Sequence, residues 1–90
     1  MKKYHKVKRN SKLIARMIES EYTILNPTSG KLYQLNQTAS FIWKLLWHPL
    51  TCDEITKKIS DKFDYPTDKI KRDVSDFIAL SLINELLKAT

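Results

Sequence analysis

Residues 21–36 read Glu21-Tyr22-Thr23-Ile24-Leu25-Asn26-Pro27-Thr28-Ser29-Gly30-Lys31-Leu32-Tyr33-Gln34-Leu35-Asn36, and this stretch decides the fold. The β-branched and aromatic content of Glu21 to Leu25 favours a strand. Asn26 to Gly30 form a turn for two physical reasons. Pro27 presets φ, and Gly30, the only glycine in the chain, supplies a positive φ at no steric cost. Lys31 to Leu35 return as a strand hairpinned to the first, with Tyr33 and Leu35 on one face and Leu32 and Gln34 on the other. Upstream, Leu13 to Ile18 carries a mixed pattern that fits one further strand.

After Asn36 the hydrophobic period changes from two to about 3.6. Asn36 is suited to cap a helix running to Trp47, with Ala39, Ile42, Trp43 and Leu46 on one stripe and Pro49 stopping it. Trp43 belongs to the core on this reading, and Trp47 is partly exposed. Thr51-Cys52-Asp53-Glu54 is a capping box that opens a second helix, whose buried side is Ile55, Ile59 and Phe63. Tyr65-Pro66-Thr67-Asp68 separates it from a third helix, capped by Thr67, with Ile70, Val74, Phe77 and Ile78 at helical spacing. Ile83 to Leu87 ends that helix and leads into a short extended piece. Three strands followed by three amphipathic helices define an α+β domain, winged-helix-like, in which the helices cover one face of a three-stranded antiparallel sheet.

The 90 residues fit one domain, and a hydrophobic content of 42% is enough for a packed interior. The net charge of +6 is unevenly placed. Residues 1–16 hold Lys2, Lys3, Lys6, Lys8, Arg9, Lys12 and Arg16 with no acid, so the rest of the chain has nine basic against ten acidic residues. This predicts a basic flexible arm over residues 1–11 and a nearly neutral domain over 12–90. No apolar run approaches the ~18 residues of a membrane span. Arg16, Glu19 and Glu21 interrupt what would otherwise be a signal-peptide core. A cytoplasmic protein is expected.

Nothing in the chain calls for catalysis, a metal or a cofactor. Cys52 is the only cysteine, which excludes an internal disulfide and a Cys-rich metal site. It fits the apolar stripe of its helix, and no His follows at a suggestive position. His5 and His48 are isolated, Asp73 and Asp76 face solvent or Arg72, and no glycine-rich phosphate loop occurs. Binding is the function class that remains.

Several short motifs stand in a telling order: Ile24-Leu25-Asn26, then Gly30, Tyr33, Leu35 and Asn36, then Ile42-Trp43 and Leu46, Thr51 with Glu54-Ile55, and Asp73-Val74 with Phe77-Ile78. Each is weak alone, but the full order and spacing over residues 22–87 resemble the PqqD-like family. Two positions depart from its pattern: Glu85 stands where a glycine is usual, and Ser81 where a leucine is common. The resemblance implies a non-catalytic recognition element for ribosomally made, modified peptides, one that captures the leader of a precursor and presents it to a modifying enzyme. A stand-alone, Lys-rich member of this size looks most like the leader-binding partner of a lasso-peptide protease, a transglutaminase-like enzyme. The alternative within the family is the pyrroloquinoline quinone peptide chaperone.

In such a fold the Lys31–Leu35 strand lies at the sheet edge, and an edge strand exposes unpaired backbone groups that template another extended chain. The resemblance places the ligand between this strand and the third helix. The expected site is the backbone of Lys31, Leu32, Tyr33 and Gln34, with Leu35, Val74, Phe77 and Ile78 contributing side chains. Two rival classes accompany this reading. A winged-helix nucleic-acid binder would need a basic recognition helix, whereas Lys69, Lys71 and Arg72 are offset by Asp68, Asp73 and Asp76. A structural subunit would use the same free edge to pair with another protein or its own copy.

Overall fold

The computed structural model describes residues 5–90. Its elements run β1 (Lys6–Arg9), β2 (Ile14–Ile18), β3 (Glu21–Leu25), β4 (Leu32–Gln34), α1 (Gln37–Leu45), β5 (Leu50–Thr51), α2 (Cys52–Lys62), α3 (Thr67–Ile83) and β6 (Leu87–Ala89). The strands form two three-stranded antiparallel sheets, ordered β2-β3-β4 and β5-β1-β6. The α+β class, the β2-β3-β4 meander and the three helices agree with the sequence reading. The second sheet does not follow from it, and the arrangement does not establish the winged-helix likeness.

The β2–β3 connection is a two-residue hairpin, Glu19-Ser20, with both residues at positive φ (51° and 73°). That is the type I′ geometry whose twist matches a right-handed strand pair, reached here without the usual Asn-Gly. The β3–β4 turn behaves as the sequence predicts: Gly30 sits at φ 76°. The Asn26 side chain accepts from the Thr28 and Ser29 N–H groups at 3.0 and 3.3 Å, while the Asn26 N–H donates to the Lys31 carbonyl at 2.9 Å.

The helices start and stop largely where local chemistry dictates. The Asn36 Oδ1 accepts from the Ala39 N–H at 2.8 Å and caps α1. The Thr51–Glu54 capping box is complete in both directions. Thr67, however, is not a cap: Pro66 occupies the N-cap of α3 with no side-chain bond, and Thr67 is the first helical residue. α3 closes in a Schellman motif. Glu85, at φ 61°, donates its N–H to the Leu82 carbonyl, and the Leu86 N–H reaches the Ser81 carbonyl at 2.8 Å.

The interior joins both sheets to the helices through Ile24, Ile42, Trp43, Leu46, Ile55, Val74, Ile78 and Leu87. Phe63 departs from its expected place. It is the C-cap of α2, extended at φ −118°, and is 39% exposed because the helical stripe ends before it.

The expected arm over residues 1–11 needs a larger correction. Residues 1–4, with Lys2 and Lys3, lie outside the described residues. From Lys6 onward the segment is β1, the central strand of its sheet, paired with β5 through Lys6 and Val7 and with β6 through Val7, Lys8 and Arg9. Val7 is fully buried. Arg9 donates from Nε and Nη2 to the Trp43 carbonyl at 2.9 and 2.6 Å, and from Nη2 to that of Lys44 at 3.3 Å. Its guanidinium also lies 5.2 Å from the Trp43 ring centroid. A cation thus meets the carbonyls at the negative end of α1, where the Trp43 carbonyl also accepts the Leu46 N–H at 3.1 Å. Burial pushes the Arg9 pKa below the usual arginine value, with Tyr22 acting the other way.

Candidate functional site

The hydrogen-bond parity of β4 decides which of its groups are free. In the β3–β4 ladder the Asn26 N–H bonds the Lys31 carbonyl and the Leu35 N–H bonds the Tyr22 carbonyl. Antiparallel partners alternate between bonded and non-bonded pairs. With Ile24 opposite Tyr33 and Leu25 opposite Leu32, Lys31, Tyr33 and Leu35 therefore aim their backbone groups at β3. Leu32 and Gln34 aim theirs away, along the flank where β4 has no strand partner among the described residues. Of the four backbones expected to pair with a ligand, those of Leu32 and Gln34 have the right direction, and those of Lys31 and Tyr33 are turned inward.

Ser40 fixes the end of this strand to α1. Its Oγ accepts from the Tyr22 N–H at 2.9 Å and donates to the Leu35 carbonyl at 3.2 Å, completing a backbone pair the strands leave open. Leu35 is buried with the core at the end of the ladder. Tyr33 is half-buried on the inner face with Ile24, while Leu32 points outward and is 66% exposed.

Two clefts lie among the elements that follow the strand. One, of about 320 Å³, starts at Asn36, just past β4, and runs past Ala39 and Ile42 to Asp73, Asp76 and Phe77 on α3. The other, of about 280 Å³, lies where α1, α2 and the start of α3 meet, around Phe41, Phe63, Tyr65 and Ile70. Thr38 and Asp73 line both, so the two are neighbours. Beyond Phe77, the same stripe of α3 carries Leu80 and Ile83, 60% and 76% exposed.

The expected side chains divide accordingly. Phe77 is half-buried and lines the first cleft. Val74 is fully buried and reaches only the floor of the second cleft. Ile78 is fully buried and lines neither. Phe41, Phe63 and Tyr65 line the second cleft and were not among the expected side chains, although the Phe63-Asp64-Tyr65-Pro66 sequence, aromatic residues running into a helix-breaking proline, signals an irregular and partly exposed segment.

The opposite edge, β2, turns the backbone groups of Ala15 and Met17 outward by the same alternation. All five of its residues are exposed, and neither cleft includes any of them. No residue of β4 lines a cleft either, but the larger one begins at Asn36, two residues past the end of β4. Among the described residues no three His, Cys, Asp or Glu side chains gather to hold a metal ion, and Cys52 is buried with its Sγ 3.5 Å from the Ser75 hydroxyl.

A small α+β domain with a short open strand next to clefts of mixed polarity is the class this geometry defines. Residues 21–87 match the family described as coenzyme PQQ synthesis protein D (PqqD), and the chain belongs to that family. Among solved structures, the chain is similar to "TbiB1 in Complex with the TbiA(beta) Leader Peptide", at 26% identity and a TM-score of 0.82 over 90% of this chain and 94% of that one. "Lasso peptide synthetase B1 complexed with the leader peptide" shares the fold at 17% identity and a TM-score of 0.78, over 91% and 96% of the two chains. No curated protein matches the chain.

Proposed function

We propose that this protein is a non-catalytic carrier that binds the leader segment of a ribosomally made precursor peptide in the cytoplasm and delivers it to a maturation enzyme, a transglutaminase-like leader protease. The leader adds as a strand along β4. The observation that carries this reading is the outward direction of the Leu32 and Gln34 backbone groups near a cleft reaching α3. The similarity to TbiB1, which was solved with a leader peptide, supports it.

Magnitudes say what the site must do. Two outward residues offer four backbone hydrogen bonds, worth roughly 4 kcal/mol in total at ~1 kcal/mol net each. Association costs about 4 kcal/mol or more, and ordering a disordered leader about 2–5. Backbone pairing alone therefore does not hold the peptide. Two or three apolar anchors at about 1.5–3 kcal/mol each make up the difference and leave a reversible complex. Phe77, Leu80 and the exposed Leu32 side chain are placed to receive them.

The test is a titration of isotope-labelled protein with synthetic leader peptides of the lasso type. Amide shifts are expected over residues 31–35 and 70–81, and Leu32→Pro, which removes an outward donor, should weaken binding sharply in a folded protein. Shifts confined to residues 5–12, or undiminished affinity in the proline variant, would overturn strand addition at β4. The family's own description favours a second assignment, the peptide chaperone of coenzyme PQQ synthesis. Selective binding of that pathway's precursor over a lasso-type leader would establish it instead.

A further inference from the structure

The second cleft has a chemistry that β4 does not need for itself. Phe41 and Phe63 meet edge to face at 5.4 Å, and Tyr65 stacks on Phe63 at 6.1 Å. These rings are not sealed: Phe63 is 39% and Tyr65 60% exposed. Two cations sit on them. Lys62 Nζ lies 4.7 Å from the Phe41 centroid and 5.8 Å from that of Phe63, and Lys69 Nζ lies 5.9 Å from that of Tyr65. Among the described residues neither lysine has a carboxylate within salt-bridge distance, whereas Lys57 and Lys71 pair with Asp61 and Asp53. Both lysines are held over rings rather than in salt bridges.

The cleft's volume of about 280 Å³ falls just under the ~300–1,000 Å³ usual for small-molecule sites, which suits a side chain better than a cofactor. It neighbours the cleft that begins at Asn36, with Thr38 and Asp73 lining both, which puts it within reach of a peptide leaving β4. Asp73 and Asp76 line the first cleft, while the second adds Lys69 to Asp73, with Lys62 over its rings.

We propose that the α1–α2–α3 cleft is a second subsite that selects an aromatic side chain flanked by a carboxylate in the same peptide. The ring packs among Phe41, Phe63 and Tyr65, and the neighbouring Asp or Glu meets Lys62 and Lys69. This rests on peptide capture at β4 and adds the sequence class that the carrier prefers.

The test is selection of a random twelve-residue peptide display library on the immobilised full chain. Enriched peptides are expected to share an aromatic residue with Asp or Glu within two positions. The Lys62→Glu, Lys69→Glu double variant, altered only at exposed positions, should weaken them by about tenfold. Reselection on that variant should replace the acid with Lys or Arg, a reversal that a merely structural role would not produce. If the enriched peptides are the same before and after the charge swap but are lost on Leu32→Pro, the subsite is overturned and capture at β4 stands. If they respond to the swap but not to Leu32→Pro, the subsite stands and the β4 reading fails. Absence of enrichment overturns both.

Discussion

Glu85 occupies a backbone position that favours glycine. At φ 61° it is the C′ residue of the α3 Schellman motif, and its chain otherwise follows a family pattern with glycine there. A side chain in the left-handed region costs about 1–2 kcal/mol, part of which glycine returns through its greater unfolded freedom. Glu85→Gly should therefore stabilise the domain by about 0.5–1 kcal/mol in chemical denaturation, and a loss of stability would contradict this account of the turn. Ser40 is the opposite case. Its hydroxyl serves a β3 donor and a β4 acceptor in a buried position. Ser40→Ala leaves both unsatisfied and should cost about 1–3 kcal/mol; a neutral result would mean that the two strands close the gap without it.

At the scale of elements, what was legible in the sequence is what local chemistry controls. The positive φ of Gly30, the Asn36 cap, the Thr51–Glu54 box and the alternation of Leu32 and Tyr33 each follow from a few neighbouring residues, and each is present. β1 escaped because Lys6-Val7-Lys8-Arg9 has one apolar residue among three cations, so no periodicity marks it; distant partners, β5 and β6, make it a strand. Phe63 escaped because α2 ends one residue before it, and Thr67 because Pro66 takes the cap position. For the proposed site, the inward direction of the Lys31 and Tyr33 backbones was not legible, since parity depends on the register of the whole hairpin. The capping box also has a pH signature. The Thr51 backbone N–H, bonded to the carboxylate, is the largest cause holding the Glu54 pKa below the usual value. A depressed folded pKa gives stability that is present above the unfolded value and lost as pH falls through the folded one. The difference in Tm between wild type and Glu54→Ala should accordingly narrow below about pH 4; a constant difference would contradict the charge-assisted cap.

At the scale of the whole molecule, the basic N-terminal segment is part of the architecture from Lys6 onward. Val7 fills the core and Arg9 ties β1 to the end of α1, so one strand joins both chain ends to the helices. Burying Val7 is worth about 1.5–3 kcal/mol and the Arg9 bonds a similar amount. Deleting residues 1–9 should cost about 3–6 kcal/mol, visible as a clear fall in Tm; an unchanged Tm would return this segment to the status of a tail. With that segment folded away, the proposed binding surface is the β4 flank and the cleft that begins at Asn36. Its most direct test is residue-resolved amide hydrogen exchange with and without the leader peptide. Leu32 and Gln34 should gain protection, while Tyr33 and Leu35, already bonded within the sheet, should stay as they were. Protection gained at Tyr33 and Leu35 instead, or nowhere along residues 31–35, would contradict peptide capture at this strand.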